Sequence, residues 1–74
     1  MKINIENEKE KAIIFSERKT TVHIKKLNGF FHNGLILEVG EDFFVLKDRF
    51  DGREVFVLFK ELEKEISIFK EAGE

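Results

Sequence analysis

The side chains able to do chemistry in this 74-residue chain are cations, aromatics and carboxylates rather than nucleophiles. Arg18, Lys19, Lys25 and Lys26 form the one cationic cluster along the sequence, a grouping suited to phosphate contact. If the strand that carries them is regular, Lys25 and Lys26 point to opposite faces, so at most one of them joins a given patch. Asp and Glu are abundant, 15 in all, but they are scattered in charged pairs with no recognisable acid–base arrangement. No serine stands in a nucleophile context, no glycine-rich phosphate loop is present, and there is no cysteine. His23 and His32 lack metal-site spacing. These absences argue against an enzyme and against a metal or other cofactor.

The net charge is −2, where a dedicated duplex-DNA binder is normally basic because its affinity comes from neutralising phosphates. A local basic patch on an acidic protein still permits contact with single strands. No stretch approaches the roughly 20 apolar residues of a membrane span, and the acidic N-terminal stretch has no secretory-signal character. The lack of cysteine is compatible with a reducing cytoplasm, the expected location. A single small domain is expected, and below about 80 residues one core supplies only roughly 3–5 kcal/mol. With disulfides and Cys-ligated zinc removed, oligomerisation is the expected source of extra stability. A charged fraction of 38% without proline or tryptophan would suit a heat-stable protein.

The elements that must position these groups read as follows. Residues 1–8 are a polar, flexible lead-in. A short helix is expected over 9–19, with Ala12, Phe15 and Lys19 on one face. Thr20–Leu27 alternates as a strand and leads into Asn28-Gly29, a type I′ hairpin signal. A long strand from Phe30 to Val39 would span about 33 Å at about 3.3 Å per residue. Gly34 inside it reads as a bend or bulge that lets the strand curve. Phe31, Leu35, Leu37 and Val39 share one parity of that strand, and Phe30, His32, Gly34, Ile36 and Glu38 the other. Gly40-Glu41-Asp42 turns the chain, Phe43–Arg49 makes a third strand, Asp51-Gly52 signals a second hairpin, and Val55–Phe59 makes a fourth. The C-terminal part has two readings: one helical turn around Lys60–Lys64 and a short fifth strand Glu65–Phe69, or a helix through Ala72. Residues 70–74 read as a polar tail. The fold class expected is mainly β: a short N-terminal helix followed by a strongly bent five-stranded antiparallel sheet, a small barrel occupying residues 20–69.

This order of elements resembles the Sm-like family, and in its motifs the Hfq branch most of all. The resemblance rests on Glu17-Arg18-Lys19 closing the helix, then Asn28-Gly29, then Gly34 in a long apolar strand. It continues through Glu41-Asp42-Phe43-Phe44-Val45-Leu46 and ends with Val57-Leu58-Phe59-Lys60-Glu61, similar to that branch's aromatic-Lys-His element. It covers roughly Ala12 to Phe69. The Sm-type Asp-x-x-Met-Asn is absent, Glu61 replaces the histidine, the basic rim is reduced to Arg18 and Lys19, and the loop Phe50–Glu54 differs in length.

The resemblance implies a homo-oligomeric ring of six or seven subunits that binds single-stranded U-rich or A-rich RNA. It places a base-stacking aromatic after the second strand, a position filled by Phe43 if one residue is inserted there and by Asp42 otherwise. It assigns Lys60 to a base or phosphate near the ring pore, Arg18 and Lys19 to phosphates, and Phe30 with His32 to a purine groove. It implies that the fourth strand of one subunit pairs with the fifth of the next, through Val55, Val57, Leu58, Ile66, Ile68 and Phe69. From another class, a small-barrel protein-interaction module or ribonucleoprotein accessory subunit without base readout is the competing expectation, favoured by the acidic balance and by Glu61.

Overall fold

The chain is described here by a computed structural model, which covers residues 3–70. Helix α1 runs over Ile5–Glu17 and the strands are β1 (Val22–Lys25), β2 (Phe31–Val39), β3 (Phe43–Asp48), β4 (Glu54–Leu58) and β5 (Ser67–Ile68). They form a single antiparallel sheet in the order β4-β3-β2-β1-β5, so the mainly β class expected from the sequence is what the chain adopts.

The helix starts four residues earlier than expected and ends two earlier, so much of the assigned lead-in is helical. The reason lies in local chemistry. The Asn4 side chain caps the first turn by accepting the Asn7 N–H at 3.1 Å, and Glu6 and Glu8 sit where the helix dipole favours negative charge. At the other end Lys19 adopts a left-handed conformation (φ 52°) and Thr20 N–H returns to the Phe15 carbonyl, which stops the helix before Lys19. Of the face expected from spacing, Ala12 is buried and Phe15 packs against the core, whereas Lys19 is exposed.

The β1–β2 connection falls where Asn28-Gly29 signals it, but it is not a two-residue type I′ turn. Lys26 N–H donates to Phe30 O at 2.8 Å around a three-residue loop, and Gly29 alone has positive φ (93°). Strand β2 therefore begins at Phe31. Its bulge lies at Leu37, where the register against β3 slips between Ile36 and Glu38, and not at Gly34. The slip reverses the inward parity: Gly34 and Ile36 face the core before it, and Val39 packs on the core after it.

The core comprises Ala12, Val22, Ile24, Ile36, Phe44, Leu46, Val57, Phe59, Leu62 and Ile66. It lies within the curled sheet, with the Phe44 and Phe59 rings 5.2 Å apart. After β4 the chain makes one 3₁₀ turn over Phe59–Glu61, shorter than the helical turn expected at Lys60–Lys64. Glu61 Oε1 accepts the Leu58 N–H at 3.0 Å and closes that turn. Lys26 then bridges Leu62, and β5 pairs Ser67 with His23 and Ile68 with Val22. The strand reading of this segment holds and the helix reading does not at Ser67–Ile68; Ala72 and the rest of the expected tail beyond Lys70 lie outside the described residues.

Candidate nucleic-acid interface

The end of β3 nearest the helix start gathers three of the residues singled out from sequence. Phe43 pairs across the sheet with Leu58, and the Phe59 N–H donates to the Asp42 carbonyl at 3.0 Å. Asp42 and Lys60 consequently line one hollow of about 190 Å³ together with Ile5, Leu58 and Phe59. Lys60 also lines a second hollow of about 330 Å³ with Lys26, Leu27, Asn28 and Glu61. The two connections that build this second wall are tied by the Leu27 N–H donating to Glu61 O at 2.8 Å. Lys60 thus stands exposed between two concavities, with Lys26 as a second cation. Lys25 is turned away to Glu63, 3.4 Å distant.

Phe43 is half-buried. Its ring stacks on Phe56 at 4.7 Å with 20° between planes, and it lies so close to Gly40 that a methyl there would collide with it. One face of Phe43 is therefore already covered by a second aromatic. Phe56, which is 58% exposed on β4, is absent from the residues expected at the site. The signal for it was present: Val57 points inward, so the period of two turns Phe56 outward.

The other residues are distributed elsewhere. Arg18 and Lys19 are exposed at the far end of α1, 13 residues long and hence about 20 Å from the Ile5 that touches the Asp42–Lys60 hollow. Phe30 does not line the hollow that holds His32. Phe30 lies before the strand, exposed, its N–H held by Asn28 Oδ1 at 3.0 Å. His32 is half-buried and lines a hollow of about 350 Å³ with Phe31, Asn33, Asp48, Arg49 and Phe50. Its Nδ1 donates to Asp48 Oδ2 at 3.0 Å, while Asp48 Oδ1 accepts the Phe50 N–H at 2.7 Å. The hydrogen bond from His32, reinforced by the Phe50 amide, holds the Asp48 carboxyl below the usual aspartate range.

A group whose pKa is lowered on folding stabilises the fold above its unfolded value, and that contribution is lost as pH falls through the folded value. Asp48→Asn is therefore expected to cost about 1–2 kcal/mol at neutral pH. It should also flatten the acid limb of a urea-midpoint profile relative to the parent. Parallel acid limbs would show that the carboxylate does not organise this loop.

Among the six residues expected at a subunit contact, Val57 and Ile66 have their side chains in the subunit's own core. The face alternation of β4 and the burial of the segment before β5 take them away from any partner. Val55 and Leu58 are half-buried, Phe69 is half-buried under the Arg49 guanidinium (4.8 Å from its ring), and Ile68 is 54% exposed. Strands β4 and β5 are the two ends of the sheet, so each has one outer edge with no strand partner among the described residues. Among the described residues no group of three or more potential ligands converges on a metal site, and no helix is long and apolar enough to cross a membrane.

No protein-family model matches the sequence, and a search of curated proteins found no match. Among solved structures, the crystal structure of the pleiotropic translational regulator Hfq matches with a TM-score of 0.71 at 22% identity, covering 88% of this chain and all of that one. The short helix followed by a five-stranded antiparallel sheet is therefore the Sm-like, Hfq-like fold that the motif order resembled.

Proposed function

We propose that this chain is a non-catalytic RNA-binding protein of the cytoplasm, assembling into a homo-oligomeric ring of six or seven subunits that holds single-stranded U-rich or A-rich RNA. The observation that carries this reading is the placement of Asp42, Phe43 and Lys60 around one corner of an Hfq-like fold. That corner adjoins the free edge of β4. Pairing β4 of one subunit with β5 of the next satisfies both open edges at once, and repetition around a closed symmetry makes every subunit equivalent.

In this arrangement the part of Phe43 that Phe56 leaves open offers a surface for a base, and the Lys60 ammonium donates to a phosphate or a base oxygen beside it. The Phe31–His32–Phe50 hollow supplies a second place for a base, while Arg18 and Lys19 take backbone phosphates at the far end of the helix. Each site is weak alone. A chain of nucleotides engaging several subunits converts weak binding into useful affinity, which is how a protein of net charge −2 would bind RNA. Glu61 keeps its negative charge here, with one carboxylate oxygen turned to the Leu58 amide, so RNA must engage Lys60 from the side away from it.

The test is native mass spectrometry with short oligo-U and oligo-A, followed by titration against salt. A closed ring retaining RNA, with affinity falling as salt rises, is expected. A ring that keeps no RNA would move the function to protein partners, a reading favoured by the Phe56 ring already covering Phe43. A bare monomer would remove the ring mechanism altogether. Lys60→Ala should weaken RNA binding and lower the salt slope by about 0.7 for each phosphate no longer neutralised. An unchanged slope would retire Lys60 as a phosphate ligand.

A further inference from the structure

Among the described residues one carboxylate is buried without touching the proposed RNA sites. Glu8 is only 2% exposed, and its Oε1 accepts the Ile66 N–H at 2.8 Å. One helical turn on, Lys11 Nζ donates to the Ile66 carbonyl at 2.9 Å and lies 3.3 Å from Glu8 Oε2. The same ammonium reaches Glu65 Oε1 at 3.5 Å. Helix α1 thus grips both backbone groups of a single residue, as a neighbouring strand would. Ile66 belongs to no strand pair among the described residues. It is the residue immediately before β5, whose ladder to β1 has only two pairs, Ser67↔His23 and Ile68↔Val22.

Beside that ladder the Glu63 N–H donates to Lys25 O at 2.8 Å and the Phe69 N–H to Thr21 O at 3.0 Å. The helix grip on Ile66 holds the stretch between these ties, and a strand this short is marginal without such support. Burying a charge is costly unless it is paired and hydrogen-bonded, so the Glu8–Lys11 pair is a specific device rather than a stray surface contact. What it fixes is the angle and register at which the chain enters β5, and the outer edge of β5 is one of the two open edges of the sheet. Ala12 and Phe15 supply the apolar contact of the helix with the core.

Resting on the ring reading above, we propose that Glu8 and Lys11 are positioning residues for subunit assembly. They set the β5 edge, with Ile68 exposed on it, in the geometry that accepts β4 of a second copy of this chain. The helix is then part of the assembly machinery although it does not itself present the edge.

The experiment compares the full chain with Glu8→Ala, Glu8→Gln and Lys11→Met by native mass spectrometry over a dilution series, with far-UV circular dichroism melts and amide hydrogen exchange at residues 66–68. Glu8→Ala is expected to keep the folded spectrum and a cooperative melt; Lys11→Met, which leaves the buried Glu8 carboxylate without its cation, is expected to melt cooperatively but at a lower temperature. Their rings should come apart at about tenfold higher protein concentration than the parent's, with faster exchange at 66–68. Glu8→Gln keeps an acceptor for the Ile66 amide and should restore most of the assembly. If Glu8→Ala does not fold, Lys11→Met and Glu8→Gln decide on the same readouts. Rings that dissociate at the parent's concentration overturn the positioning role and leave the ring reading standing. A parent chain that is monomeric throughout overturns both.

Discussion

Replacing Gly34 with valine is expected to leave no folded barrel, and even Gly34→Ala should lose most of the stability. A Cβ built at this position drives into the Lys47 carbonyl and lies 3.2 Å from the Asp48 Cα. These are backbone atoms of the adjacent strand and cannot swing aside as the end of a long side chain can. Gly34 pairs simultaneously with Val22 of β1 and Asp48 of β3, so a methyl here wedges three strands apart. Local strain of this kind costs of order 1–3 kcal/mol before any loss of ladder hydrogen bonds. A core this small supplies only roughly 3–5 kcal/mol, so the margin disappears. Circular dichroism melts would show it: the parent unfolds cooperatively and the valine variant has no transition. A Gly34→Ala chain melting within a few degrees of the parent would mean that β2 and β3 can separate locally, and the close approach would lose its significance.

Gly34 also shows what a sequence can and cannot disclose about this fold. That a glycine mattered inside a long apolar strand was legible from its type and place. Its reason was not, because the constraint comes from a carbonyl 13 residues away across the sheet. The sharp register slip occurs three residues later at Leu37, where no residue type announces it. The hairpin positions were legible at Asn28-Gly29 and Asp51-Gly52, where both glycines do take positive φ. Their turn types depended on which neighbouring amides closed the loops. The helix start was hidden because Asn4, Glu6 and Glu8 look like solvated polar residues until Asn4 is seen to cap and Glu8 to be buried.

The candidate site divides in the same way. Proximity of the Asp42–Phe43 turn to Lys60 follows from β3 and β4 being neighbours, which hairpin signals already imply. By contrast, the Asp48 tie to His32 and the Phe56 ring over Phe43 depend on side-chain direction and loop closure. Parity counting on β2 misled because the bulge at Leu37 exchanges the two faces partway along.

Phe56→Glu is expected to convert the ring into monomers while leaving each barrel folded. Within one subunit the substitution removes the stack on Phe43, a contribution of about 0.5–1.5 kcal/mol, and buries nothing, because the side chain is already 58% exposed. Between subunits the change is larger. An aromatic on an open edge strand, turned outward beside a half-buried Leu58, is the kind of anchor on which interfaces concentrate their energy; truncating one typically costs about 2 kcal/mol or more, about 30-fold in affinity. Glutamate adds a carboxylate that must be desolvated at every interface of a closed ring, so the penalty recurs with each subunit added. Native mass spectrometry at a concentration where the parent is fully assembled reads the outcome directly. Leu27→Glu serves as the control: Leu27 is at least as exposed but lies in the β1–β2 loop and in neither open edge strand, and the ring should survive it. Intact rings with Phe56→Glu, or rings that fall apart equally with Leu27→Glu, would mean that subunits meet through a surface other than the β4 edge. In that event Phe43 and Phe56 would be left as an exposed aromatic pair free to take a base between subunits or a partner protein, and the salt dependence of RNA binding would decide between those two.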